Sequence, residues 1–278
     1  MRFLSPAKVN LYLEVLKKRP DGYHEIQTLM HRVALFDEVE IGLGGRGIRL
    51  VSEGEKIPAG IRNLACRAAR LFLREFGIQK DVEIGLKKRI PVAAGLGGGS
   101  SNAATVLRGL NELLRVRGDR ELLMALGAKI GADVPFFIFQ KPALAQGIGE
   151  RLVAVEVPKP LWFLMVIPPF RISTAWAYEA YDLLGTKKKE ATKIKDSYPD
   201  LKDLLPVMKN DLEGVAFSRH PQIGRMKEEL LARGARGALM SGSGPVVFGL
   251  FPAKKEAERA EEAMPLPAGW RTVIARGI

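Results

Sequence analysis

The stretch Pro91-Val92-Ala93-Ala94-Gly95-Leu96-Gly97-Gly98-Gly99-Ser100-Ser101-Asn102-Ala103-Ala104 places four glycines and two serines between a strand-like segment and a helix-like segment. Glycine has no Cβ to keep a ligand away from the backbone, and it adopts positive φ readily. The N–H groups that open a following helix carry partial positive charge. The stretch therefore predicts a loop that binds phosphate.

A helix is expected directly after this loop. A flexible linker would not lead straight into a buried helix, so the helix favours a structured loop. Ser100 and Ser101 are candidates to cap it. The apolar residues that recur at helical spacing are Ala103, Ala104, Val106, Leu107, Leu110, Leu113 and Leu114. No Gly-Lys-Ser/Thr follows the glycines, and the third glycine of a dinucleotide-binding motif is missing. A different class of phosphate loop is indicated.

A second glycine-rich segment is interpreted as a turn. Gly42-Leu43-Gly44-Gly45-Arg46-Gly47 matches G-x-G-x-x-G, but the next residues, Ile48 to Val51, alternate as in a strand. We therefore expect a hairpin turn here and no nucleotide site.

Composition indicates a soluble globular protein. The 278 residues are enough for two domains, and 47% are hydrophobic and 27% charged. The longest apolar run, Leu161 to Ile167, is far shorter than the ~20 residues of a membrane span. The first six residues lack the apolar core of a signal peptide. We expect a cytoplasmic protein without membrane contact.

The cysteine content excludes some kinds of site, and the net charge indicates the kind of partner. Cys66 is the only cysteine, which excludes an internal disulfide, and the three histidines have no zinc-ligand spacing with it. Cys66 is predicted to lie on a helix and to serve in its packing. The net charge of +12 favours anionic partners. The densest basic cluster, Lys187-Lys188-Lys189 with Lys193 and Lys195, is interpreted as a solvated loop.

The order of elements predicts an α+β chain. The first half opens with a β-meander and continues through a helix, a strand, the glycine loop and two further helices. The second half is close to the split β-α-β order of a ferredoxin-like domain with a helical insertion. The prolines of Val157-Pro158-Lys159-Pro160 indicate a boundary, so the predicted domains are 1–157 and 158–278.

Three motifs resemble those of the GHMP small-molecule kinases: Pro6 to Leu11, Pro91 to Ala104, and Ser241-Gly242-Ser243-Gly244-Pro245. This resemblance covers nearly the whole chain. It implies a ribosomal-protein-like α/β domain followed by a ferredoxin-like domain, with the active site in the cleft between them. Two further segments, Asp21 to Leu29 and Gly131 to Phe136, resemble those of one type of GHMP kinase. Kinases of this type phosphorylate the 2-hydroxyl of a cytidine-diphosphate-linked methylerythritol, in the non-mevalonate route to isoprenoid precursors.

The resemblance also implies catalytic roles. Asp133 would be the base that accepts the proton of the substrate hydroxyl. Lys8 would lie near Asp133 and the γ-phosphate, keeping the carboxylate ionised and neutralising the charge that develops. The Ser-Gly-Ser-Gly of the third motif would let two loops approach closely, and it is equally compatible with a tight hairpin.

Binding residues follow from the same resemblance. Aromatic rings stack on a pyrimidine and an imidazole hydrogen-bonds its edge, so Tyr23, His24 and Tyr178 are assigned to the cytidyl group, although core packing explains Tyr178 equally well. The complete substrate site would comprise Asn10, Tyr23, His24, Asp133, Thr174 and Tyr178. The ATP site would comprise Asn63, Leu64, Lys88, Pro91, Val92, Ala93, Ala94, Gly95, Leu96, Gly97, Gly98, Gly99, Ser100 and Ser101.

ATP and Mg²⁺ are the expected co-substrate and cofactor. Mg²⁺ bridges the β- and γ-phosphates during phosphoryl transfer. Many GHMP kinases hold it with a loop serine and a glutamate from a following helix. Here Ser100 or Ser101 can be nominated, but no glutamate can, so the metal ligands stay open.

Two alternatives remain at this point. Another GHMP kinase, of the homoserine or mevalonate type, would share Lys8 and the loop but not Tyr23-His24. A basic nucleic-acid-binding module would explain the positive charge, but the charge is dispersed and few aromatic residues accompany it. We expect a small-molecule substrate, no nucleic acid, and a monomer or weak homodimer.

Overall fold

Two β-sheets support the helices of this α+β chain, whose computed structural model describes residues 1–185 and 190–278. The strands in this described part are β1 (Arg2–Lys18), β2 (His24–Leu43), β3 (Ile48–Glu53), β4 (Val82–Lys87), β5 (Ala143–Gly147), β6 (Arg151–Ala154), β7 (Trp162–Ile167), β8 (Gly237–Met240), β9 (Val247–Phe251) and β10 (Arg271–Arg276). The helices are α1 (Leu64–Glu75), α2 (Gly98–Leu113), α3 (Arg120–Ala128), α4 (Val134–Phe139), α5 (Thr174–Leu183), α6 (Leu201–Leu204), α7 (Glu213–Arg219), α8 (Pro221–Ala232) and α9 (Lys254–Glu262).

The chain divides into two compact units that interleave along the sequence. The first unit consists of residues 1–7, 35–92 and 97–140, and the second of residues 8–34, 93–96 and 141–278. Both β1 and β2 contribute residues to each unit. The domain division at 157/158 stays a prediction.

In the first unit, β4 lies between β2 and β3. It pairs antiparallel with Glu38–Leu43 of β2 and parallel with β3. The predicted hairpin at Gly42 to Gly47 is therefore wrong, because β2 and β3 are not neighbours in the sheet. The segment is a turn between non-adjacent strands, with Gly44 at φ +126° and Gly47 donating its N–H to Asp81 Oδ1 at 2.7 Å.

Helices α1 and α2 pack against each other in this unit. The buried residues of α1 recur every three or four positions, as a one-faced helix requires. Cys66 is among them, which confirms its predicted packing role, and burial raises the pKa of its thiol. The apolar residues after Asp133 form the short helix α4.

The second unit contains further strand pairings. Ile26–Met30 of β2 pair with β5, which pairs in turn with β6. Strands β5 and β6 were not anticipated from sequence. The last four strands form an antiparallel sheet in the order β10-β7-β9-β8, with α5 to α8 between β7 and β8. This arrangement confirms the ferredoxin-like domain with its helical insertion.

Two further expectations can be compared with the structure. Among the described residues, no helix is both long and apolar enough to cross a membrane. In the predicted basic loop, Lys193 and Lys195 are exposed and lie outside helices and strands, whereas Lys187-Lys188-Lys189 fall outside the described residues.

Two glycines inside helices provide a matched test of the packing. A β-carbon at Gly109 in α2 would lie 2.4 Å from Ile41 Cδ1 and 2.8 Å from Phe3 Cε2, whereas one at Gly214 in α7 would meet nothing within 4 Å. Gly109→Ala should lower the thermal unfolding midpoint by a few degrees, since overpacking costs about 1–3 kcal/mol. Gly214→Ala should leave the midpoint unchanged or raise it, because alanine favours helix. Equal midpoints for both variants would contradict this account of how α2 packs.

Candidate active site

The glycine loop adopts left-handed backbone at three positions. Ala93 has φ +53°, Gly95 +78° and Gly97 +69°. Gly97 is the N-cap of α2 and supplies no side-chain hydrogen bond to the helix. The capping role expected of Ser100 and Ser101 is therefore wrong, because the helix begins at Gly98 and both serines lie in its first turn. A helix start without a side-chain cap leaves its first N–H groups available to an anion.

Asp37, which has no exposed surface, joins the two sides of this loop. Its carboxylate accepts the backbone N–H groups of Arg89 at 2.8 Å and Ile90 at 2.9 Å, just before the loop. It also accepts Asn102 Nδ2, in the first turns of α2, at 2.9 Å, and forms an ion pair with Lys88. Three parts of the first unit, β2, the segment after β4 and α2, are thus tied to one buried carboxylate.

Lys88, predicted to meet ATP, is directed into this network. Its Nζ also lies 3.3 Å from Asn102 Oδ1 and would lie 3.1 Å from a β-carbon at Gly98. Its ammonium group is therefore buried directly beside the start of α2. The structure gives Lys88 a role in supporting the loop, and its contact with the nucleotide stays a prediction.

Other residues predicted for the ATP site lie around the same helix start. Asn63 caps α1, with Oδ1 accepting Ala65 N at 2.9 Å. Leu64 Cδ1 would lie 3.6 Å from a β-carbon at Gly99, so the beginnings of α1 and α2 are adjacent. The N–H of Val92 is already bonded to Glu55 Oε2 at 3.1 Å.

The two serines nominated for the metal differ in environment. Ser101 is completely buried, and its hydroxyl accepts a hydrogen bond from Ser5 Oγ at 2.7 Å; Ser5 Oγ in turn accepts Asn102 Nδ2. Ser100 is partly exposed, and its Oγ would lie 4.0 Å from a β-carbon at Gly131. Of the two hydroxyls, only that of Ser100 can reach a ligand without breaking the buried network.

Asp133 belongs to the first unit and lies at the N-cap of α4, in the segment that begins at Gly131. It is partly exposed and makes no capping hydrogen bond. The proximity of Gly131 to Ser100 places this segment beside the first turn of α2. Lys8 belongs to the second unit, so the pairing of Lys8 with Asp133 stays a prediction.

In the second unit, a chain of hydrogen bonds holds Lys8, which is 4% exposed. Lys8 Nζ donates to Asn10 Oδ1 at 2.5 Å, and Asn10 Nδ2 donates to Thr28 Oγ1 at 2.8 Å. Thr28 Oγ1 donates to the carbonyl of Tyr12 at 2.6 Å. Lys8 and Asn10, two residues apart on one face of β1, are thereby fixed by the neighbouring strand β2.

The third motif packs directly on these residues. A β-carbon at Gly95 would lie 1.9 Å from the Ser241 carbonyl oxygen, and one at Gly242 would lie 3.1 Å from Asn10 Oδ1 and 3.4 Å from Lys8 Nζ. Ser241 Oγ donates to the Gly95 carbonyl at 2.9 Å. The close approach of two loops is confirmed, and the motif is also the connection between the paired strands β8 and β9.

Glu14 forms a second buried carboxylate centre that the sequence did not reveal. It accepts hydrogen bonds from Tyr12 Oη at 2.6 Å, Lys209 Nζ at 2.7 Å, and both N and Oγ1 of Thr192 at 2.9 Å. Burial by itself raises the pKa of Glu14, but these donors outweigh it and lower the pKa to about 2. The segment around Thr192 is thereby attached to β1.

The residues assigned to the cytidyl group include one exposed and one buried side chain. Tyr23 is 59% exposed, whereas the ring of His24 is buried and stacks on Tyr178, with centroids 4.8 Å apart and planes 23° apart. His24 Nε2 lies 2.7 Å from Asp182 Oδ1, and Lys18 Nζ donates to Asp182 Oδ2 at 2.8 Å. Burial opposes ionisation of Asp182, but the hydrogen bonds from Lys18 and His24 lower its pKa on balance.

Sequence reasoning missed Asp37 and Asp182, although each left a signal. Asp182 follows Tyr178 by four residues, which places both on one face of α5. Asp37 alternates along β2 with the buried apolar residues Val39 and Ile41. Thr174, also predicted to bind substrate, shares a hydrogen bond of 2.9 Å with Ser243 Oγ of the third motif.

Family models match both halves of the chain. The model described as the GHMP kinases N terminal domain matches residues 63–141, and the GHMP kinases C terminal model matches residues 190–267.

Full-length relatives are also found. The 4-diphosphocytidyl-2-C-methyl-D-erythritol kinase of Geobacter metallireducens is 47% identical, over 99% of this chain and 97% of its own length. That of Citrifermentans bemidjiense is 48% identical, over 100% and 99%.

Solved structures agree in fold. A crystal structure of 4-(cytidine 5'-diphospho)-2C-methyl-D-erythritol kinase superposes with a TM-score of 0.81 at 39% identity, covering 100% of this chain and 99% of that one. Homoserine kinase from Cytophaga hutchinsonii has a TM-score of 0.76 at 20% identity, over 100% and 94%, and so shares the fold. With both family models matched and relatives near half identity along its full length, this chain belongs to the GHMP kinase family, and it is an ATP-dependent small-molecule kinase.

Proposed function

We propose that this kinase transfers the γ-phosphoryl group of ATP to the 2-hydroxyl of 4-diphosphocytidyl-2-C-methyl-D-erythritol, producing the 2-phosphate and ADP. The observation that carries the proposal is the stacked pair His24 and Tyr178, anchored by Asp182. An imidazole held in this way presents its other nitrogen to a pyrimidine edge. The names of the full-length relatives support the same substrate.

Lys8 and Asp133 are proposed as the catalytic residues. Phosphoryl transfer needs mainly positioning and charge stabilisation, so a lysine with a fixed ammonium group is well suited to neutralise the γ-phosphate oxygens. The hydrogen bond to Asn10 fixes that group. Asp133 accepts the proton of the attacking hydroxyl, which makes the oxygen a better nucleophile.

The glycine loop and the start of α2 are proposed to hold the triphosphate. The buried pair of Asp37 and Lys88 holds the loop and the helix start in place, and Asn63 and Leu64 lie at the adjacent start of α1. The partly exposed Ser100 fits a Mg²⁺ ligand, since its hydroxyl is outside the buried network. When bound, Mg²⁺ neutralises charge on the β- and γ-phosphates. We further propose a cytoplasmic location, because the reaction consumes ATP; no nucleic-acid partner and a monomer or weak homodimer stay predictions.

The first test is an ADP-release assay with four acceptors at equal concentration. The cytidyl-diphosphate substrate should support turnover far above that with methylerythritol phosphate, homoserine or mevalonate, because those three lack the pyrimidine. Faster turnover with homoserine or mevalonate would instead assign the chain to that type of GHMP kinase.

The second test concerns the chemical step. Asp133→Asn and Lys8→Met should each lower kcat by about two to four orders of magnitude, as expected for losing a base or a charge-stabilising group. ATP binding should change little. The matched controls are Asp200→Asn and Lys202→Met, whose parent side chains are 64% and 79% exposed and pair with each other. The assignment fails if the site variants turn over as fast as these controls.

A further inference from the structure

His24 is held by different neighbours on its ring face and at its edge. Tyr178 covers one face of the imidazole, and Asp182 Oδ1 lies 2.7 Å from Nε2. Within the part of the chain that the structure describes, Nδ1 has no hydrogen-bond partner. The ring is only 7% exposed, so its orientation is fixed while one nitrogen remains available to a ligand.

An ionised carboxylate can only accept hydrogen bonds, so the nitrogen that faces Asp182 must carry a proton. In the neutral ring this leaves a lone pair on Nδ1. We propose that Asp182 is a positioning residue that makes the kinase select cytosine over uracil, by keeping His24 in the Nε2–H tautomer with Nδ1 as an acceptor. This inference rests on the proposed function.

The two pyrimidines differ at positions 3 and 4, and the proposal concerns the group at position 4. Cytosine carries an amino group there, which donates, whereas uracil carries a carbonyl oxygen, which accepts. An acceptor at Nδ1 therefore binds the 4-amino group of cytosine and faces the lone pairs of the uracil oxygen unfavourably. With uracil, Nδ1 and the 4-oxygen would face each other without a hydrogen between them, and a polar group left unpaired lowers affinity.

Lys18 makes this arrangement testable. Its Nζ donates to Asp182 Oδ2 at 2.8 Å, so each carboxylate oxygen has its own donor. In Asp182→Asn, the ammonium group of Lys18 attracts the amide oxygen, which turns the amide NH₂ toward Nε2. A donor at that position favours the tautomer in which Nε2 accepts and Nδ1 carries the proton.

The tautomer is measured directly by ¹⁵N NMR of protein labelled on its histidines. The chain has three histidines, and the resonances absent from His24→Gln identify those of His24. The free wild-type protein should show a protonated Nε2 and an unprotonated Nδ1. A protonated Nδ1, whether in the other neutral tautomer or in an imidazolium, would overturn the proposal without the need for any kinetic assay.

Kinetics then connect the tautomer to specificity. For the wild type, kcat/KM with the cytidyl substrate should exceed that with its uridyl counterpart by roughly tenfold or more. Asp182→Asn should reduce this ratio by a similar factor, with Nδ1 now protonated in the NMR spectrum and the KM for ATP unchanged. An unaltered ratio would overturn the proposal.

A double variant separates this role from a purely structural one. Lys18→Met alone should keep the Nε2–H tautomer and the cytidyl preference. In the double variant with Asp182→Asn, the loss of the Lys18 ammonium group lets the introduced amide turn its oxygen toward His24 Nε2. The Nε2–H tautomer and the cytidyl preference should then be partly restored. No restoration would contradict the mechanism. If the wild type used neither pyrimidine substrate, the proposed function would fail, while the NMR result would still report on the Asp182–His24 pair.

Discussion

The hydrogen bonds to the buried carboxylate of Asp37 are the interaction on which the nucleotide side of this protein depends. A carboxylate without exposed surface costs several kcal/mol unless donors surround it, and here they come from Lys88, Arg89, Ile90 and Asn102. These residues lie on both sides of the glycine loop. The residues at both ends of the loop are hydrogen-bonded to the same carboxylate. These bonds hold the ends in place although three loop residues have left-handed backbone.

The second unit uses the same principle for Lys8. The ammonium group is held through Asn10 and Thr28, and Glu14 anchors the Thr192 segment and Lys209 to the same strand. In both units, buried polar groups thus fix residues proposed for binding or catalysis: the start of α2 in the first unit and Lys8 in the second. Groups that are already fixed need little rearrangement when charge develops in the transition state. This preorganisation is the largest contribution of the protein to phosphoryl transfer.

Sequence patterns predicted the elements that are encoded locally. The helices α1, α2 and α5 and the four strands of the second sheet follow from their apolar periodicity, although the serine caps predicted for α2 were wrong. The ferredoxin-like order follows from the succession of these elements. The predicted Gly42 to Gly47 hairpin was wrong because the insertion of β4 between β2 and β3 is a long-range pairing, which local alternation does not encode. The partners Asp37 and Asp182 were missed for the same reason, since Lys88 and His24 meet them only in the folded chain.

Hydrogen–deuterium exchange of residues 88–102 tests most directly the claim that Asp37 holds the glycine loop. Asp37→Asn should accelerate exchange there by roughly tenfold or more, the effect of weakening hydrogen bonds to a charged group, while β8 and β9 in the second unit keep their wild-type protection. Glu40→Gln, also on β2 and 57% exposed, is the matched control and should change neither region. Wild-type protection of residues 88–102 in Asp37→Asn would contradict the account.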